Sequence, residues 1–139
     1  MHFESSVTVQ APAERVWEVF SDVRRWSEWT PTIDSVERLD DGPLRIGSRA
    51  RIRQPKLPVA TWEVTELVDG EYFAWVSRGP GIRTTGGHRV TATPNGTVAT
   101  SSIDQEGPLG WLFGSLYAKL TNRYLKLEGE GLKKRSEGA

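Results

Sequence analysis

The sequence predicts an α+β fold in which a curved antiparallel sheet of about seven strands wraps around one long C-terminal helix. Three observations support this fold class. Stretches of alternating apolar and polar residues fill the middle of the chain, a helical pattern follows the first such stretch, and a longer helical pattern closes the chain. A sheet with one apolar face must cover that face, and the closing helix is the element able to do so.

The first strand and the first helix are predicted from two different periods. Apolar and polar side chains alternate over residues 3–9, which is the period of a half-buried strand. Pro12 has the fixed φ angle that suits the first turn of a helix. Apolar side chains then recur at the spacing of one helix face, at Val16, Val19 and Phe20. We therefore expect a strand followed by a short amphipathic helix.

A second short helix is predicted directly after the first. Ser21 and Asp22 can cap it through side-chain oxygens, and Pro31 ends it because the residue before a proline is pushed out of the α region. This helix places Trp26 and Trp29 three residues apart on one face. Since both tryptophans stand between the first strand and the remaining strands, we expect them to be exposed and to cover a cavity as a lid.

Six further strands are predicted before residue 106. Turn residues divide them: Asn95-Gly96 is the strongest turn signal, and Pro55 and Pro58 make a firm break at 54–58. The predicted strands span residues 33–39, 47–53, 60–68, 72–77, 82–93 and 97–105.

One long amphipathic helix is predicted from Pro108 onward. Its apolar side chains keep helical spacing for about five turns. They are Leu109, Phe113, Leu116, Leu120, Tyr124 and Leu127. We expect the helix to fray near Gly129 and Gly131 and residues 133–139 to form a mobile tail, because that segment holds few apolar residues.

The composition bounds the size of the protein and the class of its partners. A chain of 139 residues corresponds to about one domain. Lys and Arg number 18 together, as do Asp and Glu, so the formal net charge is zero and no global field attracts nucleic acid. A small apolar or aromatic ligand is therefore favoured over nucleic acid as the partner.

Several classes of function are excluded by what the sequence lacks. The absence of cysteine rules out disulfides, thiolate nucleophiles and Cys-ligated metals. There is no run of about 18 apolar residues and no export pattern at the N-terminus, so we expect no membrane span and a cytoplasmic location. No metal and no cofactor are expected, since neither ligand spacing nor a phosphate-binding glycine pattern is present.

Strand parity places a set of apolar and aromatic side chains on the sheet face that looks toward the closing helix. They are Trp62, Val64, Phe73, Trp75, His88 and Val90. The chain has six tryptophans, and flat aromatic walls suit the binding of rings, sterols, acyl chains or polyketides. Core packing is the simpler explanation for Trp17, Phe20 and Trp62.

His88 is the one histidine inside the predicted fold. Its ordinary pKa of about 6.5 would let it act as a general base or donate a hydrogen bond to a ligand carbonyl. A satisfied buried polar group is the favoured alternative, since one histidine makes neither a metal site nor a triad.

Five short motifs add to the order of elements. They are Ala11-Pro12-Ala13-Glu14-Arg15-Val16-Trp17, Trp26-Ser27-Glu28-Trp29, Trp62-Glu63-Val64, Phe73-Ala74-Trp75 and Gly87-His88-Arg89-Val90. Together they resemble the START-like, helix-grip (SRPBCC) superfamily, and in particular its small bacterial polyketide cyclase/dehydrase-like members. The resemblance covers residues 3 to about 132 and implies a single START-like domain over residues 1–139.

The resemblance implies a ligand cavity between the sheet and the C-terminal helix. We expect the cavity to hold a small apolar or aromatic molecule, such as a lipid or a polyketide. The residues that we expect to line it are Trp26, Trp29, Trp62, Phe73, Trp75 and His88. In the plant abscisic acid receptors of this superfamily, a gate loop with Leu-Pro and a Gly-rich latch border the ligand, and residues 54–58 and 86–90 resemble these two segments.

An enzymatic alternative would use His88 or Arg51. Aromatase/cyclase members are thought to orient a polyketide with an arginine on the equivalent strand and a tyrosine near the second helix, and Arg51 matches that arginine by position. Residues 29–33 contain no tyrosine, however. Arg51 also alternates with Arg49 and Arg53, which favours a solvated outer face for all three.

A third hypothesis is a protein-interaction module or dimer with a collapsed cavity. Exposed tryptophans such as Trp29 and Trp111 would then contact a protein partner or a second copy of the chain. The sequence leaves a monomer and a homodimer equally open.

Overall fold

Seven strands form one antiparallel sheet in the computed structural model, which describes residues 1–138. In spatial order the strands run β1-β7-β6-β5-β4-β3-β2, so the last strand returns to pair with the first. The strands are β1 (His2–Val9), β2 (Ser35–Arg38), β3 (Arg49–Arg53), β4 (Ala60–Val68), β5 (Tyr72–Gly79), β6 (Ile82–Thr93) and β7 (Gly96–Glu106). The predicted α+β class with a seven-stranded antiparallel sheet is confirmed.

The helices cover the inner face of this curved sheet. They are α1 (Ala13–Ser21), a 3-10 helix (Val23–Glu28), α2 (Gly110–Leu116) and α3 (Ala118–Glu137). Helix α3 packs on β1 and β7 and touches α1 and α2. The segment predicted as a second short helix is a 3-10 helix, which winds more tightly than an α-helix. At its end the Trp29 N–H donates a hydrogen bond to the Trp26 carbonyl oxygen at 3.1 Å.

The predicted strand parity is confirmed. All six residues that alternation assigned to the inner face are buried: Trp62, Val64, Phe73, Trp75, His88 and Val90. They join Val16, Val19 and Phe20 of α1 in the main core. The core thus lies between the inner face of the sheet and the helices, and it includes Val9 of β1, Ala99 of β7 and Leu132 of α3.

The long helix predicted from Pro108 is two helices rather than one. Tyr117 interrupts it at φ −104° and ψ 15°, and neither proline nor glycine stands at the break. Apolar spacing continues across the interruption, which is why the sequence pattern suggested one element. Leu116 belongs to that predicted stripe but is 69% exposed on α2.

The predicted fraying near Gly129 and Gly131 is not seen, and residues 133–137 of the predicted tail belong to α3. Helix α3 continues without interruption through Gly129 and Gly131 to Glu137, and Leu132 and Ser136 are buried. Gly131 allows close packing: a Cβ there would lie 2.0 Å from the Trp29 carbonyl oxygen. Ala139, the last residue of the predicted tail, lies outside the described residues.

Replacing Gly131 by alanine is expected to destabilise the fold. Alanine favours a helix by about 1 kcal/mol over glycine, but the new methyl group would strike backbone that cannot move aside, and such overpacking costs about 1–3 kcal/mol or more. The midpoint of urea unfolding should therefore fall for Gly131→Ala.

Gly129→Ala is the matched control. A Cβ there would lie at an ordinary 3.7 Å from Val7, so the helix gain should dominate and the midpoint should hold or rise. Equal midpoints for the two variants would contradict the close approach of α3 to the Trp29 carbonyl.

Candidate functional site

A cavity of about 210 Å³ lies between the sheet and the N-terminal half of α3. Its floor comes from β4 to β7, its roof from α3 and the preceding Tyr117, and one side from the loop after β3. The lining residues are Gln54, Leu57, Pro58, Ala60, Trp62, Ser77, Thr84, Ile103, Gln105, Tyr117, Leu120, Thr121, Tyr124, Leu125 and Glu128. The lining thus combines aromatic rings and aliphatic groups with hydroxyl and amide groups.

The loop of residues 54–58 is tied to the rest of the site by polar contacts. The Tyr124 hydroxyl on α3 donates a hydrogen bond to the Pro55 carbonyl oxygen. The Gln54 amide donates to the Thr32 carbonyl oxygen at 3.3 Å. Lys56 turns the loop with a positive φ of 67°, which non-glycine residues seldom adopt. The loop is therefore held in one shape beside the cavity.

Glu128 is the charged residue of the cavity lining. The residue is half-buried on α3. Desolvation of the carboxyl raises its pKa from 4.5 to about 7, although the hydrogen bond from Thr32 acts in the opposite direction. Glu128 therefore changes charge near neutral pH.

Two buried threonines support that carboxyl. The Thr32 hydroxyl donates to Glu128 Oε1 at 3.0 Å, and the Thr30 and Thr32 hydroxyl oxygens lie 3.0 Å apart. Since the single proton of Thr32 goes to Glu128, Thr30 must be the donor to Thr32. The hydroxyl proton of Thr30 therefore points to Thr32, and that of Thr32 points to Glu128.

His88 lies in an aromatic cluster next to the cavity. Its ring stacks on Phe73 at 4.1 Å between centroids and meets the edges or faces of Phe20, Trp26 and Trp75. Burial lowers its pKa to about 3, against the opposing effect of the hydrogen bond from Nδ1 to the Phe73 carbonyl oxygen. His88 is thus a neutral core group at physiological pH.

The structure separates the six residues that the sequence proposed as cavity lining. Trp62 lines the cavity, and its ring lies 5.8 Å from that of Trp75. Trp75, Phe73, His88 and Trp26 pack against one another behind it.

The two predicted lid tryptophans differ in their surroundings. Trp26 is only 4% exposed, contrary to the expected exposure, and its Nε1 donates to the Phe20 carbonyl oxygen at 3.0 Å. Trp29 is half-buried and borders an outer groove between α1, the 3-10 helix and α3. Trp111 is 69% exposed on α2.

The two segments that resemble a gate and a latch also differ. Residues 54–58 form a loop that borders the cavity, whereas Gly86 and Gly87 lie inside β6 and form no loop. Gly86 is there for packing, since a Cβ would approach the Trp75 ring to 3.1 Å.

Arg51 lies outside the cavity. It is exposed on the outer face of β3, as its alternation with Arg49 and Arg53 predicted, and its guanidinium group pairs with Glu37 at 3.2 Å.

The outer groove is larger, about 820 Å³, but it is open and most of its charged side chains are paired. Arg15 pairs with Glu18 at 3.0 Å, and Arg135 pairs with Glu28 at 2.7 Å. The cavity beneath α3 is the better candidate site because its walls are apolar and its acidic group lacks a basic partner.

Sequence reasoning missed most of the residues of α3 that line the cavity. Tyr117, Thr121 and Glu128 come from this region, and none of them was proposed as a site residue. The spacing of Tyr124 and Glu128 by four residues could have placed both on one helix face. Their approach to Pro55 and Thr32 depends on tertiary packing and left no signal in the sequence.

Two further features can be stated for residues 1–138. No three histidine or acidic side chains in that part of the chain come together as a metal site. None of the helices described there has the length and apolar character needed to cross a membrane.

A curved sheet that grips a C-terminal helix over a cavity defines the START-like, helix-grip class. The family model for "Polyketide cyclase / dehydrase and lipid transport" matches residues 1–137, and the chain belongs to this family. No curated protein matches the sequence significantly.

Solved structures show the same fold. The ZhuI aromatase/cyclase from Streptomyces sp. R1128 matches with a TM-score of 0.79 and 20% identity over 99% of this chain and 93% of that one. A START superfamily protein from Mycobacterium smegmatis matches with a TM-score of 0.77 and 19% identity over 98% of this chain and 97% of that one. A protein from Thermus thermophilus gives the same values. At these identities the likeness concerns the fold.

The two histidines are expected to titrate differently. The pKa of His2 is raised by its hydrogen bonds to Asp104 and Glu4, whereas burial lowers that of His88 to about 3. In an NMR titration from pH 5 to 8, the ring protons of His88 should stay constant while those of His2 shift with a midpoint above 6.5. Titration of His88 near 6.5 would contradict its burial.

Glu128→Gln is expected to stabilise the protein above pH 7. In the unfolded chain Glu128 ionises near 4.5, but in the folded protein only near 7, so the contribution of Glu128 to the stability of the wild type falls as the pH rises between these values. The variant avoids this loss and should be more stable by roughly 1–3 kcal/mol at pH 8 and equal to the wild type below pH 4.5.

Urea unfolding of both proteins across this pH range measures the difference. Glu130→Gln, on the exposed side of the same helix, should give little change at any pH. A wild type that matches the Gln variant at pH 8 would show that Glu128 is not desolvated.

Proposed function

We propose that the protein binds a small apolar or aromatic molecule in the cavity between the sheet and α3. The cavity itself carries the proposal: it has about 210 Å³ of space, lined by Trp62, Ile103 and Leu120 among others. Burying a ligand against such walls gains about 25 cal/mol for each Å² of apolar surface removed from water. The family description, which includes lipid transport, supports a binding role.

The volume limits the size of the ligand. Pockets for drug-sized molecules usually begin near 300 Å³, whereas an apolar cavity of about 150 Å³ holds benzene. A cavity of about 210 Å³ therefore suits a molecule with one or two rings, or a short aliphatic chain. Larger lipids or polyketides would need the loop of residues 54–58 to move outward.

A binding function is favoured over an enzymatic function in which His88 or Arg51 is catalytic. Neither of the two is among the cavity-lining residues, and His88 is neutral and enclosed by aromatic rings. Arg51 is engaged with Glu37 on the opposite face of the sheet. Cyclase chemistry by either residue would need that residue to reach the ligand.

The aromatic cluster is proposed to act as the wall behind Trp62. Direct ligand contact by Trp26, Trp29, Phe73, Trp75 and His88 stays a prediction. Rigid packing behind Trp62 is useful for binding, because a preorganised wall loses little conformational entropy when the ligand arrives.

Fluorobenzene and 1-fluoronaphthalene are suitable probes of the cavity. We expect their ¹⁹F NMR signals to shift or broaden with the wild-type protein in a saturable manner. Leu120→Trp should reduce the affinity at least about tenfold, because the larger side chain occupies the cavity. Ala60→Leu is a second, smaller filling substitution on the opposite wall and should act in the same direction.

Leu112→Trp is the matched control, since Leu112 is 50% exposed on α2 and does not line the cavity. It should leave binding unchanged. The proposal is wrong if the wild type binds neither probe, or if both filled variants bind as tightly as the wild type.

A further inference from the structure

The cavity has one charged group and no group to balance it. Among its lining residues Glu128 is the only one with an ionisable carboxyl, and none is Lys, Arg or His. Apolar cavities that bind purely hydrocarbon ligands gain nothing from a carboxyl, because its desolvation costs free energy. The presence of Glu128 in the lining therefore calls for an explanation from the ligand.

Glu128 is only half satisfied by the protein. Oε1 accepts the hydrogen bond from Thr32 at 3.0 Å, and this is the one side-chain or backbone donor to the carboxyl among residues 1–138. No salt bridge of the described chain includes Glu128, although its neighbours on α3 pair readily, as Lys133 does with Glu137. Oε2 thus accepts no hydrogen bond from the described residues and is not closed off by protein, and Glu128 lines the cavity.

The hydroxyls around Glu128 are arranged for a negative charge. The Thr32 N–H donates to the Thr30 hydroxyl oxygen at 3.3 Å, and the protons of Thr30 and then Thr32 are directed toward Oε1. A chain of donors that ends on a carboxylate stabilises the ionised form.

Aromatic rings complete the surroundings. Tyr124 precedes Glu128 by one helical turn, and Tyr117 and Trp62 also line the cavity. Aromatic faces attract a cation by about 0.5–2 kcal/mol, more when it is desolvated. A carboxylate with a free oxygen beside several rings is therefore a favourable site for an ammonium group.

We propose that Glu128 recognises a protonated amine on the ligand, and that the cavity takes an amine attached to a one- or two-ring aromatic body. The inference rests on the proposed function, that the cavity binds a ligand. An ammonium group supplies both the missing positive charge and an N–H donor for Oε2. A ligand carboxylate or phosphate would meet Glu128 as a like charge and be disfavoured.

Three probes of similar shape test this assignment at pH 8. Ethylbenzene and benzylamine have the same number of heavy atoms, so they differ in the ammonium group alone, and phenylacetate places a negative charge near the same position. By isothermal titration calorimetry we expect benzylamine to bind the wild type at least about tenfold more tightly than ethylbenzene. Phenylacetate should bind more weakly than either.

Two substitutions connect the preference to the carboxyl. Glu128→Gln keeps the size of the side chain and should remove the preference for benzylamine over ethylbenzene. Thr32→Val keeps the charge but removes its donor, and should reduce the preference only in part. Glu130→Gln, outside the cavity, should keep it in full, and circular dichroism confirms that each variant is folded.

The outcomes separate the two proposals. If ethylbenzene binds but benzylamine binds no more tightly, or if the Gln variant keeps the preference, the amine assignment is wrong and the binding function stands. Tightest binding by phenylacetate would also overturn the assignment. If none of the three probes binds, the binding function fails and the amine assignment fails with it.

Discussion

The close approach of helix α3 to the segment after the 3-10 helix is the constraint on which the rest of the structure depends. At Gly131 the helix lies against the Trp29 carbonyl with no space for a side chain, and at Gly129 it passes beside Val7 of β1. This C-terminal half of α3 buries Leu132 and Ser136, and α3 packs on β1 and α1. The N-terminal half extends over β4 to β7, where the sheet curves away and one helix cannot fill the space. The cavity forms because α3 packs closely at its C-terminal half and leaves space between its N-terminal half and the sheet.

His88 and Glu128 are two ionisable groups whose pKa values burial shifts, and they differ in their surroundings. His88 donates from Nδ1 to the Phe73 carbonyl and is surrounded by rings, so its neutral form belongs to the packing of the core. Glu128 has a donor for one carboxyl oxygen and lines the cavity. Its second oxygen can therefore still accept a hydrogen bond from a donor outside the chain.

The sequence was informative wherever a single periodicity decided the outcome. Alternation predicted β4 and β6 to the residue and put Trp62, Phe73, Trp75 and His88 on the correct face, because strand parity is a local property. It could not distinguish core from cavity among these residues, since both environments take the same apolar side chains. The glycines of α3 were misread for a related reason: a helix glycine at a frayed end and one at a close contact look alike in sequence. Glu128 was missed because its partner Thr32 lies 96 residues away along the chain.

His88 and Glu128 also have a joint consequence for folding itself. Between about pH 4.5 and 6.5, the unfolded chain carries a proton on the imidazole and none on the carboxyl, while the folded protein carries the reverse. Folding in this range therefore transfers one proton from His88 to Glu128 without net uptake or release by the pair. The two contributions to the slope of stability against pH cancel. A curve of stability against pH that is flat in this range would conceal two burial effects of opposite sign. Substitution of one of the two groups would reveal the effect of the other.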